Sequence, residues 1–90
     1  MNKPLTKVKA IKFARKQVSQ PTKLGDGWKY SVFDPHRDLW VESRPMHRWN
    51  MDVARTQDLI DIAREAMGLE PVMYTGGQWA DYLPATNKEQ

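Results

Sequence analysis

Ninety residues without a cysteine allow one small domain and exclude a disulfide framework, a thiolate zinc site and a cysteine nucleophile. An apolar share of 40% with four tryptophans is too rich for a disordered chain, while the longest apolar runs are too short for a membrane span or a secretory leader. The net charge of +3 hides a dipole along the chain: residues 1–23 carry seven cations and no acid, and residues 52–71 carry five acids against two bases. Such asymmetry marks either a basic surface for an anionic partner or two elements that neutralise each other.

The stretch TKVKAIKFARKQV (6–18) predicts an amphipathic helix. At helical spacing Ala10, Ile11, Phe13, Ala14 and Val18 share one arc, and Lys9, Lys12, Arg15 and Lys16 share the other. Thr6 is placed to cap it, Pro4 bars an earlier start, and Pro21 is expected to stop it after Gln20. PTKLGDG then reads as a loop. In GWKYSVF the period drops to two, which predicts a strand with Trp28, Tyr30 and Val32 towards the core and Lys29, Ser31 and Phe33 away from it. DPHRD is a turn, and DLWVES predicts the return strand of a hairpin, with Leu39 and Val41 inward and Trp40 and Glu42 outward.

A third short strand is expected at residues 46–51, with Pro45 at its start or on an edge. TQDLIDIAREAMGLEP predicts a second helix capped by Thr56, its apolar arc formed by Leu59, Ile60, Ile62, Ala63, Ala66 and Met67, and closed by a left-handed stop at Gly68. In the remainder, one helical turn is expected around residues 78–83, with Tyr74, Trp79, Tyr82 and Leu83 packing back on the core. The expected fold is therefore an α+β single domain over residues 1–90, ordered helix–strand–strand–(strand)–helix with a short C-terminal extension. One antiparallel sheet packs against the helices, and residues 1–4 and 85–90 are expected to be flexible.

Over residues 5–68 this element order resembles the double-stranded RNA-binding domain, and DPHRD is similar to that family's loop between its first two strands. The family clamps phosphates with a lysine cluster at the start of its second helix. Here that place reads Arg55-Thr56-Gln57-Asp58, so no residue role carries over. The three-strand-plus-helix part also resembles, in element order, the arm-binding domain of phage integrases. In size, Trp and Met content and lack of Cys, the chain resembles the small accessory proteins of tailed phages, which implies a modulator acting in the host cytoplasm.

Residues suited to catalysis or metal binding have plainer readings. Asp34, His36, Asp38 and His47 are an N/O set that a metal accepts, but Asp-Pro and Arg-Asp are also ordinary turn chemistry. Ser31 and Ser43 lack a glycine-framed elbow, and Gly76-Gly77 is not a phosphate-binding loop. Asp58 and Asp61 are read as a solvated face paired with Arg64. No catalytic residue, metal or cofactor is expected.

Binding remains, through two surfaces. The first is the basic arc Lys9, Lys12, Arg15 and Lys16, extended by Lys3, Lys7 and Lys23; the other reading is a solvated helix face. The second is the hairpin set Phe33, Arg37, Trp40, Arg44, Arg48 and Trp49, in which Trp and Arg are typical interface anchors; the other reading has Trp40 and Trp49 covering core edges. The expected function is non-enzymatic binding to a larger protein with an acidic surface, the alternative is a DNA- or RNA-binding accessory role, and homodimerisation stays open. The location expected is the cytoplasm.

Overall fold

The computed structural model describes residues 4–70. Helix α1 (Lys7–Gln17) leads into the hairpin of β1 (Thr22–Leu24) and β2 (Gly27–Lys29), then into that of β3 (Ser31–Asp34) and β4 (Leu39–Glu42), and helix α2 (Arg48–Ala66) closes the order. Among the described residues the arrangement is α+β, with two helices and two antiparallel two-stranded sheets.

Thr6 caps α1, its side chain accepting from the Lys9 N–H at 3.5 Å. The helix ends at Gln17, short of the stop expected from Pro21. Sheet pairing overrides the helical pattern here. Val18 takes an extended conformation and bridges to Val32, and the Ser19 N–H donates to the Ser31 carbonyl at 2.8 Å. Ala10 and Ala14, both sealed, let α1 lie close along α2. Phe13, expected on the core arc, is instead 43% exposed at its margin.

PTKLGDG forms a hairpin rather than the expected loop. Leu24 pairs with Gly27 around Gly25-Asp26, and Gly25 sits at φ 61 while Asp26 avoids the left-handed region, the pattern of a type II′ turn. The strand expected over residues 27–33 is also divided at Tyr30 between two ladders. The division leaves the pairing nearly continuous. The Ser43 N–H donates to the Tyr30 carbonyl at 2.8 Å, and Trp28 and Met46 exchange backbone bonds of 2.7 and 2.9 Å. Because Tyr30 faces Ser43 while Trp28 faces Met46, one extra residue is absorbed at Arg44-Pro45. This bulge places Pro45 where no ladder donor is required.

The run 27–34 thus has partner chain on both edges, from residues 18–24 on one and 39–46 on the other. Gly27 makes the second approach feasible, since a Cβ there would lie 3.0 Å from Pro45 Cβ and 3.3 Å from the Met46 nitrogen.

The third strand expected at residues 46–51 does not form: Met46 makes a single bridge, and α2 begins at Arg48. Its N-cap is His47, which makes no side-chain capping bond, and Thr56, expected as the cap, lies buried in the helix interior. The apolar spacing that continues back from Leu59 to the sealed Met51 extends the helix past Thr56. The stop at Gly68 is as expected. The Gly68 N–H, on a residue at φ 79, donates to the Glu65 carbonyl at 2.9 Å, and the Leu69 N–H reaches the Arg64 carbonyl at 2.8 Å.

The core joins Ala10, Ala14 and Val18 to Tyr30 and to Met51, Leu59, Ile60 and Ala63 of α2, with Trp28 and Val32 packed against it. The inward set expected for the first strand is therefore correct. The set expected for the second is not, because Leu39 and Val41 of β4 are 43% and 41% exposed. The turn expected near residues 78–83, the docking of Tyr74, Trp79, Tyr82 and Leu83, and the flexibility expected of residues 1–3 and 85–90 lie outside the described residues. Among the described residues no helix is long and apolar enough to cross a membrane.

Candidate functional site

α1 presents Lys9, Lys12, Arg15 and Lys16 to solvent, and none of the four forms an ion pair among the described residues. Their placement follows from packing: Ala10 and Ala14 fix which side of α1 meets α2, so the four cations fall on the opposite side.

The hairpin set divides into two groups. At the outer end Phe33 and Trp40 are cross-strand partners, with ring centroids 5.5 Å apart in an edge-to-face contact. Trp40 remains 49% exposed. Arg37 is held in the turn, its Nε donating to Asp34 Oδ2 at 2.8 Å. At the other end the Arg48 guanidinium lies 4.5 Å from the Trp28 ring centroid and also pairs with Asp52 at 3.0 Å, while Lys23 Nζ lies 6.0 Å from the same ring. Arg44 is exposed in the bulge, and Trp49 is 72% exposed in the first turn of α2.

The outer group continues into a groove of about 250 Å³. Phe13 and Gln17 line it from α1, Phe33 and Pro35 from the hairpin, and Ile62, Glu65 and Ala66 from α2. It brings the flank of the basic helix and the aromatic hairpin onto one surface. Helical spacing alone hides this groove, because it assigns Phe13 to the core. The available cue is the place of Phe13 at the edge of the apolar arc, beside Lys9 and Lys16.

Asp34, His36 and Asp38 serve the turn. Asp34 Oδ1 accepts from the His36 N–H at 2.9 Å, and Asp38 adopts φ 55. The hydrogen bond from Arg37 holds the Asp34 carboxyl below its ordinary value. Among the described residues no three His, Asp or Glu side chains converge as a metal site. The two serines join backbone pairing: Ser43 Oγ accepts from the Tyr30 N–H at 3.1 Å, and the Ser31 N–H donates to Ser19 Oγ at 2.8 Å.

The expected pairing of Asp58 and Asp61 with Arg64 is replaced by other partners. Asp61 accepts from Gln57 at 2.9 Å, and Arg64 Nε donates to the Glu70 carbonyl at 2.6 Å. Asp58 turns inward and accepts from the Tyr30 hydroxyl. Burial pushes both Asp58 and Tyr30 above their ordinary values, and burial lowers Arg55, whose Nε donates to the Ser19 carbonyl at 2.7 Å.

No family model, no curated protein and no solved structure matches this chain.

Proposed function

We propose that this chain is a non-enzymatic binding domain for a larger protein with an acidic surface. The carrying observation is that the exposed cations of α1, which form no ion pairs among the described residues, share their helix with Phe13 and Gln17, which line one groove with Phe33 and Pro35 of the aromatic hairpin. Uncompensated charge accelerates encounter with an oppositely charged surface, and apolar side chains left partly in water supply the affinity once contact is made. The accessory-protein style of the sequence extends the reading to a modulator or inhibitor of a host enzyme in the host cytoplasm.

A second reading rests on the other end of the hairpin, where Arg48 and Lys23 flank Trp28 and Trp49 is exposed. Aromatic faces among cations also suit single-stranded nucleic acid.

Two measurements separate these readings. Affinity capture from host lysate, followed by binding kinetics, should give a partner whose association slows by about tenfold or more with Lys12→Glu/Lys16→Glu, and whose dissociation quickens by about tenfold with Trp40→Ala. Anisotropy titrations against duplex DNA, single-stranded DNA and double-stranded RNA should give only weak binding at physiological salt. Tight nucleic-acid binding with a steep salt slope that the lysine variant flattens would overturn the protein-partner reading.

A further inference from the structure

Among the described residues, the groove between α1, α2 and the hairpin has one charged lining residue, Glu65, and its α1 rim is flanked by cations that lie outside the lining. On the α1 side, Lys9 and Lys16 stand four residues before and three after Phe13, which makes them its neighbours on the helix surface. Glu65 stands on the α2 side. Neither lysine is paired with Glu65, so the groove keeps the charges apart. Its floor is apolar, from Phe13, Phe33, Ile62 and Ala66.

We infer that this groove docks an acidic peptide segment of the partner, which inserts a large apolar side chain between Phe13 and Ile62 and directs its carboxylates towards Lys9 and Lys16. The inference rests on the protein-binding reading and specifies the chemistry of what is bound. The volume suits one aromatic side chain, and the uncompensated lysines select acids on one flank. Glu65 disfavours acids on the other, which orients the segment. A nucleic-acid backbone would satisfy the lysines but leave the apolar floor unused.

The test uses the full chain and fluorescein-labelled peptides of about a dozen residues, Asp and Glu around a central Phe. Binding should weaken by about tenfold or more when that Phe becomes Ala, as expected for a buried aromatic side chain. It should weaken similarly with Lys9→Glu/Lys16→Glu and with Phe13→Ala, a partly exposed position whose truncation leaves the sealed core in place. Glu65→Gln should tighten binding by about twofold to threefold, the range of an exposed charge contact. Amide shifts in the bound state should centre on Phe13, Ile62 and Ala66.

Equal binding of the Phe and Ala peptides, equal binding of an oligothymidylate of matched charge, or shifts centred on Trp28 and Arg48 would each overturn the inference. If the acidic peptide fails to bind while a captured partner remains sensitive to Trp40→Ala, the groove assignment falls and the protein-binding reading survives. If the captured partner is insensitive to Trp40→Ala and to the lysine variant alike, that reading falls as well.

Discussion

The Tyr30 hydroxyl donates to the Asp58 carboxylate, joining the break between the two hairpins to the middle of α2. Burial raises the Asp58 carboxyl above its ordinary 3.8, an effect the Tyr30 bond partly offsets. Burial, then the bond and charge of Asp58, raise the Tyr30 hydroxyl above its ordinary 10.0. A group raised in the folded state holds its proton more tightly there than in the unfolded chain. Its contribution is complete below the unfolded value and is lost as pH rises through the folded one. Asp58 therefore favours the fold most below pH 3.8, and the contribution of Tyr30 is complete up to about pH 10.0 and lost above it.

Tyr30→Phe should destabilise the domain by about 1–3 kcal/mol at neutral pH, by leaving a partly buried carboxylate without its donor. It should also abolish the loss of stability above pH 10.0 that belongs to this hydroxyl. Urea denaturation across pH checks both.

Gly27 lies close against Pro45 and Met46: a Cβ added to it would lie 3.0 Å from Pro45 Cβ and 3.3 Å from the Met46 nitrogen, so that segment would have to give way by a few tenths of an ångström. Gly27→Ala should displace the Pro45-Met46 segment and cost about 1–3 kcal/mol. Hydrogen exchange at the Trp28 and Met46 amides should accelerate more than exchange in β3. Unchanged protection at those two amides would refute the account.

Ile60 and Leu39 look alike in a hydropathy profile, yet Ile60 is fully buried and Leu39 is 43% exposed. Ile60→Ala should cost about 2–5 kcal/mol, and Leu39→Ala less than about 1 kcal/mol. Thermal denaturation of the two variants distinguishes a core position from an edge position directly.

The legible parts of the sequence are those where one local rule acts alone. Thr6 and Gly68 mark their helix ends because capping depends on neighbouring residues, and Trp28, Tyr30 and Val32 face inward because alternation needs only a strand. What escapes depends on partners distant in the chain. Val18 leaves the helix because Val32 is there to pair with it, and Met46 makes one bridge because Gly27 leaves room. Thr56 has the chemistry of a cap, but the apolar spacing reaches back to Met51 and carries the helix through it. Lys9, Lys12, Arg15 and Lys16 are legible as one arc, whereas the division of the hairpin set and the groove beside Phe13 require the folded arrangement.

Val18 and Ser19 fasten the last turn of α1 to β3 through backbone bonds as well as packing. A helix held only by a greasy seam could roll or slide; one stitched into the sheet has a fixed bearing. The basic arc and the aromatic hairpin are consequently held as one preorganised surface, so that association of the kind proposed above would lose little conformational entropy on this side.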